Sequence, residues 1–381
     1  MKKLESFDLT YMTIDSLSEG VASSQITPLI TRLSKAGLRV NLITFEKSQP
    51  NHDLLKQFHS LGITWNARPF GPNGLIAGVE RLNILRREVP RTKVIHARSD
   101  IPAVSGILSH EAPLLWDVRS LWADQKILIQ ENRGNRALYR AYRKLEGFAA
   151  RNSHAMSTLT HAVVPILESR NSGLPSLRSV VPTTVDLNKF VINPNVPVIN
   201  HALFSGTYND YYDLELSARF IKEMRKHADI EAHWARPMES GRSQLNVGES
   251  KIMRCLQTEM SQIIPNYSFG VSICKLNAGP SLTASMPTKI AEFLACGKPV
   301  VVNKGLGDMD ILIEKNNIGI SLDGTQGNLI ESADKLMTLI SDTETPQRCR
   351  AVAEKFFNMD TAANKYIYMY TKMEQGNITT P

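Results

Sequence analysis

Apolar residues in the first half of the chain follow two alternating rhythms. Phe7 to Met12 reads as a β-strand, and after a loop Ile26, Leu29, Ile30, Leu33 and Ala36 recur at helical spacing until Gly37 stops them. Leu38 to Thr44 then reads as a second strand, which completes a βαβ unit. Strand patterns continue at Ile63 to Ala67, Lys93 to Ala97, Leu114 to Val118, Ala155 to Leu159 and Ser179 to Pro182, with helical patterns between most of them. Short β-rich runs alternating with helices are what a parallel sheet covered by helices demands.

Between Asp186 and Asn200 this rhythm breaks. Asn193-Pro194-Asn195-Val196-Pro197 cannot form a helix interior, because proline lacks the amide donor and clashes with the preceding turn. The pattern then restarts with strands at Ala202 to Ser205, Ile230 to Trp234, Gly270 to Cys274, Pro299 to Val302 and Ile318 to Leu322. Helical patterns cover Asp213 to His227 and Ser285 to Cys296, and Thr345 to about Met373 reads as a helical tail. The expected fold is α/β, with two facing Rossmann-like domains built on parallel sheets and a C-terminal helix. The domains are expected at 1–190 and 201–360, joined by a linker at 191–200 and followed by a helix and tail at 361–381.

Composition agrees with two cores, since 42% of 381 residues are apolar and no low-complexity segment occurs. Polar residues interrupt the start of the chain, so it does not read as a signal peptide, and no apolar run is long enough to span a bilayer. A cytoplasmic protein is expected, either soluble or peripheral on the inner membrane face. Cys255, Cys274, Cys296 and Cys349 stand far apart, the histidines are scattered, and neither CxxC nor HExxH occurs. A reduced compartment and no metal are expected. A formal charge of +7 favours an anionic partner. Nucleic-acid signatures are absent, which leaves phosphorylated substrates or an anionic membrane. Arg133, Arg136, Arg140, Arg143, Lys144 and Arg151 cluster with Leu138, Tyr139, Tyr142, Leu145 and Phe148 between them. That cluster is either a solvated helix face or a surface that rests on an anionic leaflet.

Ligands of open parallel sheets bind beyond the C-terminal ends of the strands, so the loops there carry the candidate chemistry. The loop after the first strand is hydroxylated and opens a helix, with Ser18, Glu19, Gly20 and Ser23 available to a phosphate or a sugar hydroxyl. Ser23 or Ser24 could equally cap that helix. Arg98 and the pair Asp117 and Arg119 end two strands of the same domain, where charged groups are expected at the surface touching substrate, with local ion pairing as the alternative. In Ser285-Met286-Pro287-Thr288-Lys289-Ile290-Ala291-Glu292, Ser285 is expected to cap a helix that Gly297 ends. Ile290, Phe293 and Leu294 form its core stripe. Lys289 and Glu292 share the other face, either as a ligand site or as a surface ion pair.

Met286 to Val302, MPTKIAEFLACGKPVVV, closely resembles the donor-site helix and following strand of retaining GT-B glycosyltransferases of family 4. SVVPTTVDLNKF at Ser179 to Phe190, the Gly37-Leu38-Arg39-Val40 turn, Ser205-Gly206-Thr207 and Asn317-Ile318-Gly319 resemble other segments of that family in the same order. The resemblance implies transfer of a sugar, with retention, from a nucleoside-diphosphate sugar to a glycan or lipid-linked acceptor, in cell-surface polysaccharide or glycoconjugate synthesis. Glu292 matches the family's ribose-binding glutamate. Gly20, Gly206, Thr207, Ser285, Pro287, Thr288 and Lys289 are expected around the donor, and Ser18, Glu19, Ser23 and Arg98 around the acceptor. Lys289 and Lys275 would stabilise the leaving diphosphate, with Asp117 and Arg119 beside the reacting groups; no covalent nucleophile, cofactor or metal is implied. The sequence departs from the family at Ala284, where an acidic residue is usual, and in Gly206 to Tyr212, which lacks the expected Arg and Lys. Those departures motivate a second reading, a non-catalytic partner or scaffold on the same fold. A nucleotide-sugar epimerase shares only the architecture.

Overall fold

The computed structural model describes residues 6–18, 20–72, 74–128, 135–195, 199–206, 211–237 and 251–376. Its first sheet contains β1 (Phe7–Met12), β2 (Val40–Glu46), β3 (Thr64–Pro69), β4 (Thr92–Arg98), β5 (Leu114–Val118), β6 (Ala155–Thr158) and β7 (Leu177–Val180). Their order is β3-β2-β1-β4-β5-β6-β7, and every pair is parallel. The crossovers run through α1 (Gly20–Lys35), α2 (His52–Ser60), α3 (Leu75–Glu88), α4 (Asp100–Ser109), α5 (Trp122–Leu128), α6 (Arg136–Asn152) and α7 (Val164–Arg170). Helices on both faces leave β2 and β5 buried along their whole length. Such strands appear in sequence as continuous apolar runs rather than alternation.

The second sheet contains β8 (Ile199–Ser205), β9 (Ala232–Pro237), β10 (Lys251–Cys255), β11 (Tyr267–Ser272), β12 (Val300–Asn303) and β13 (Gly319–Leu322). Their order is β10-β9-β8-β11-β12-β13, again all parallel. Its helices are α8 (Leu214–Met224), α9 (Met260–Ile263), α10 (Pro280–Thr283), α11 (Thr288–Ala295), α12 (Met309–Asn316), α13 (Gln326–Ser341) and α14 (Thr345–Phe356). Phe204, Phe220, Trp234, Phe269 and Leu336 lie in a core between sheet and helices. β10 has no counterpart in the sequence reading. It is an edge strand, exposed over most of Lys251–Cys255, and a charged, half-solvated edge shows no apolar rhythm.

The chain divides into two compact units. One comprises residues 1–127, 134–181 and 360–381, and the other chiefly residues 182–359. The segment expected to be all linker already contains the start of β8 at Ile199. The helical tail is two helices, α14 and α15 (Met359–Glu374), because the backbone of Phe357 and Asn358 pairs with Val185 instead of continuing the helix. Residues 360–374 belong to the first unit, where Tyr366 and Tyr370 are buried. No helix among the described residues is long and apolar enough to cross a membrane.

Strand order reverses between β1 and β4 in the first unit and between β8 and β11 in the second. In open α/β sheets the crevice at such a reversal, beyond the C-terminal strand ends, is where ligands bind.

Candidate functional site

In the second unit, the end of β8 leads into Gly206, whose φ of +97° is left-handed and readily adopted only by glycine. Trp234 Nε1 donates to the Gly206 carbonyl at 2.9 Å, and a Cβ at Gly206 would sit 3.7 Å from Lys289 Nζ. Lys289, on α11, places its ammonium 3.0 Å from Tyr212 Oη and 4.1 Å from the centre of the Tyr212 ring. Tyr212 belongs to the stretch where the sequence lacks the expected cations. Its ring and hydroxyl hold the one cation that α11 supplies. Next to it, Tyr211 Oη donates to the Ser281 carbonyl at 3.0 Å and lies 2.7 Å from Ser285 Oγ. The Lys275 amide donates to the Tyr211 carbonyl at 2.8 Å.

α11 differs from its expected form in two respects. Ser285 does not cap it, because its hydroxyl donates to the Ser281 carbonyl, and Pro287 occupies the cap position. With no side chain covering the first turn, the opening amides of Thr288 and Lys289 form a ready anion site. The helix has no solvated face either. Lys289 through Ala295 are all buried, so an exposed Lys289–Glu292 ion pair does not exist. Their side chains engage Tyr212 and Gln257 instead: Gln257 Nε2 donates to Glu292 Oε1 at 2.9 Å. Burial lifts the Glu292 carboxyl to about 7, against the smaller opposing effects of Lys289 and the Gln257 bond.

Phe204, Ser205, Tyr212, Trp234, Ser272 and Lys289 line a small cavity beneath this region. Ser272 Oγ is buried there without a hydrogen-bond partner, so the cavity offers an unused polar group to a ligand or water. Ala284 is buried and presents nothing polar. Thr288 and Pro287 are half-buried, while Thr207 lies outside the described residues.

In the first unit the expectation of surface charges at the strand ends does not hold. Asp117 is 1% exposed and lies 2.6 Å from Arg119 Nε, 3.2 Å from His96 Nε2 and 4.0 Å from Arg98. Ser157 and Tyr366 also donate to it, at 2.7 and 3.3 Å. Burial pushes the Asp117 carboxyl up, but Arg119, His96 and Arg98 outweigh it and hold the group well below the usual carboxylate range. Arg119 Nη2 donates to Tyr366 Oη at 2.6 Å, and Tyr370 Oη lies 2.6 Å from His96 Nδ1. Asp117 and Arg119 are thus parts of a closed polar network under α15. The sequence missed it because the tyrosines are remote in the chain, Tyr366 lying 247 residues from Arg119 and Tyr370 274 residues from His96.

Arg98 alone of this set reaches toward the loop after β1, donating to Asp15 at 2.9 Å. That loop is stitched by Glu46, the last residue of β2, which accepts from Ser16 Oγ at 2.7 Å and from the Leu17 amide at 3.0 Å. Ser18 Oγ lies 2.6 Å from Ser16 Oγ. Gly20 opens α1 with φ +55°. Ser23 and Ser24 are therefore the fourth and fifth residues of α1 and do not cap the helix. Ser24 donates to the Val21 carbonyl instead. Glu19 lies outside the described residues. Neither Gln257 nor Glu46 was singled out in sequence. Glu46 could have been, since an acidic strand-end residue follows the same logic as Arg98, whereas nothing local marks Gln257.

On α6, Leu138, Gly147, Ala149 and Ala150 are buried in the unit, and Arg143 pairs with Glu146. Arg136, Arg140, Lys144 and Arg151 are exposed, and Arg133 lies outside the described residues. Of the cluster's apolar residues Leu138 is buried, whereas Tyr139, Tyr142, Leu145 and Phe148 are half-buried, and the exposed face is mostly cationic.

Residues 22–183 match the family described as Glycosyl transferase 4-like domain. No curated protein matches the sequence. Among solved structures, a sucrose-phosphate synthase from Thermosynechococcus elongatus is similar with a TM-score of 0.72 at 13% identity, over 97% of this chain and 99% of that one. HepE from Anabaena, solved in complex with UDP-glucose, is similar with a TM-score of 0.66 at 15% identity, over 96% of this chain and 100% of that one. A glycosyltransferase from Rickettsia africae has a TM-score of 0.65 at 12% identity, over 97% of this chain and 99% of that one. At these identities the likeness shows the fold, which is the two-sheet Rossmann-like architecture of GT-B glycosyltransferases.

Proposed function

We propose that the chain is a glycosyltransferase that takes a nucleoside-diphosphate sugar on its second unit and passes the sugar to a glycan or lipid-linked acceptor with retention. The observation that carries this reading is α11: an uncapped helix start, a cation held beside it, and a buried carboxylate one turn deeper. The opening amides and Lys289 suit a diphosphate, and Glu292 suits a pair of ribose hydroxyls. The complex of HepE with UDP-glucose supports the same donor class, and the glycosyl transferase 4-like match over residues 22–183 supports sugar transfer.

On this reading the protein works by position and charge. As the glycosidic bond to phosphate breaks, negative charge grows on the diphosphate, and fixed donors that need not reorganise stabilise it. Lys289 is such a donor because Tyr212 confines it. Gln257 keeps Glu292 oriented from behind, leaving the second carboxylate oxygen for ribose. Lys275 is assigned a supporting role on the diphosphate. On the acceptor side we assign the loop of Ser18 and Ser23, with Arg98 ordering it through Asp15. Asp117 and Arg119 are left out of the chemistry, since both are enclosed by their own partners.

The buried Ala284 and the loss of the two cations before Tyr212 favour a second reading, a subunit that binds nucleotide without transferring sugar. Incubating the protein with radiolabelled UDP- and GDP-sugars and a panel of lipid-linked and oligosaccharide acceptors separates the two. Labelled product identifies the transferase. Nucleotide binding with no product on any acceptor identifies the subunit.

A further inference from the structure

The N-terminal ends of the second unit's strands, opposite to the ends that carry Gly206, gather groups of a different kind. His201 lies in β8, Glu231 immediately precedes β9, and His233 is the second residue of β9, the hydrogen-bonded neighbour of β8. His233 Nε2 is 2.9 Å and His201 Nε2 3.6 Å from Glu231 Oε2. Lys251 Nζ, from the start of β10, approaches the same oxygen at 2.6 Å. Among the described residues these three form a group whose ligand atoms, one from each, all lie within 4.8 Å of one another. None is fully buried: their side chains are 21%, 36% and 13% exposed, in the order His201, Glu231, His233.

We propose that His201, Glu231 and His233 form a binding site for one divalent transition-metal ion of the zinc, cobalt or nickel kind, which clips β8 to β9. Two imidazole nitrogens and one carboxylate oxygen are the donor set such ions take, and water completes the coordination. Ligand atoms about 2 Å from a tetrahedral ion stand a little over 3 Å apart, so small side-chain rotations close the site. The Lys251 ammonium, on a side chain 66% exposed, gives up its place on Glu231 to the ion and moves into solvent.

A partner on the second nitrogen of a metal-bound histidine fixes its tautomer and strengthens binding, and His233 has one. Tyr267 Oη lies 2.8 Å from His233 Nδ1 and 3.4 Å from Met253 Sδ. With its proton turned to the sulfur, the hydroxyl accepts from Nδ1–H and leaves the Nε2 lone pair for the ion. His201 Nδ1 accepts the Glu231 amide at 3.2 Å; its ring releases that bond as it turns a deprotonated nitrogen to the metal. The four cysteines are all buried, and burial pushes Cys274, Cys296 and Cys349 up to about 12, so no thiolate competes. Sequence spacing conceals this group because its members come from two strands.

The test is titration of the chelator-stripped full-length protein with cobalt(II), read by its visible d–d absorption, followed by displacement with zinc(II). The site takes one ion per chain, with nitrogen and oxygen ligation and no thiolate charge-transfer band, and zinc raises the melting temperature. E231Q weakens binding, H201Q/H233Q abolishes it, and Y267F, which leaves the ligands intact, weakens it roughly tenfold to a hundredfold. No cobalt absorption and no zinc-dependent melting shift in the wild type overturns the proposal. So does unchanged affinity in folded H201Q/H233Q, or in folded E231Q should the double variant not fold.

Discussion

Lys289 is the residue on which the proposed chemistry leans most. Replacing it with methionine keeps most of the side chain's volume beside Tyr212 but removes the charge. Loss of one pre-organised donor typically lowers turnover by about a hundredfold to a thousandfold, so K289M should reduce kcat by that order with the fold intact by circular dichroism. A drop confined to KM would mean that Lys289 only holds the donor. Asp117 makes the opposite case. D117N leaves Arg98 and Arg119 buried beside a neutral group, and breaking a buried pair in this way costs about 3–5 kcal/mol. Because the folded pKa of Asp117 is depressed, its contribution is full above its ordinary 3.8 and is lost as pH falls through the folded value. Urea unfolding of D117N at neutral pH should show that loss, and its stability should vary less with acid than that of the wild type. Wild-type stability in the mutant would contradict the network reading.

Among the elements, the contact of β11 with α11 fixes where Lys289 and Glu292 stand. Gly270 lets the helix approach closely: a Cβ there would lie 2.1 Å from Phe293 Cδ2, the residue next to Glu292. G270A should therefore cost roughly 1–3 kcal/mol by overpacking and also weaken nucleotide binding, because Phe293 can move only by shifting α11. Thermal melting and calorimetry of the same variant check both effects. Much of this level was legible in sequence. β1 and β5 have the limits the apolar runs predict, and α11 lies inside the predicted Ser285 to Cys296 segment, ended by Gly297 with its φ of +73°. Three features were not legible. β10 is an edge strand without alternation, the α14 to α15 break depends on Val185, and α11's second face is buried by partners such as Gln257 and Tyr212. Helical periodicity reports how polar a face is, not what covers it. This is why Lys289 and Glu292 read equally well as a surface pair.

At the scale of the whole molecule, the charge of +7 remains to be assigned. The exposed cations of α6, Arg136, Arg140 and Lys144, recur every four residues along one stripe. None of Leu138, Tyr139, Tyr142, Leu145 and Phe148 is exposed, so adhesion to a membrane would rest chiefly on charge, about 1 kcal/mol for each cation at an anionic surface. Co-sedimentation with anionic vesicles at low salt should fall with added salt and when these three become glutamine. Indifference to such vesicles would leave the charge to the substrates. The central claim, that α11 binds a nucleoside diphosphate through Glu292, is tested most directly by calorimetric titration of wild type and E292Q with UDP and GDP across neutral pH. Burial raises the Glu292 pKa from its ordinary 4.5 to about 7. Its share of stability is therefore present below about 4.5 and lost as pH rises through 7, while the ionised carboxylate that accepts ribose hydroxyls becomes available over the same rise. The account predicts that one nucleotide binds the wild type more tightly as pH increases through 7, after the ligand's own ionisation is cancelled by comparison with E292Q. The variant should bind more weakly by about 1.5–3 kcal/mol and lose that pH dependence. Equal affinity of wild type and E292Q at every pH, or no binding of either nucleotide, would contradict it.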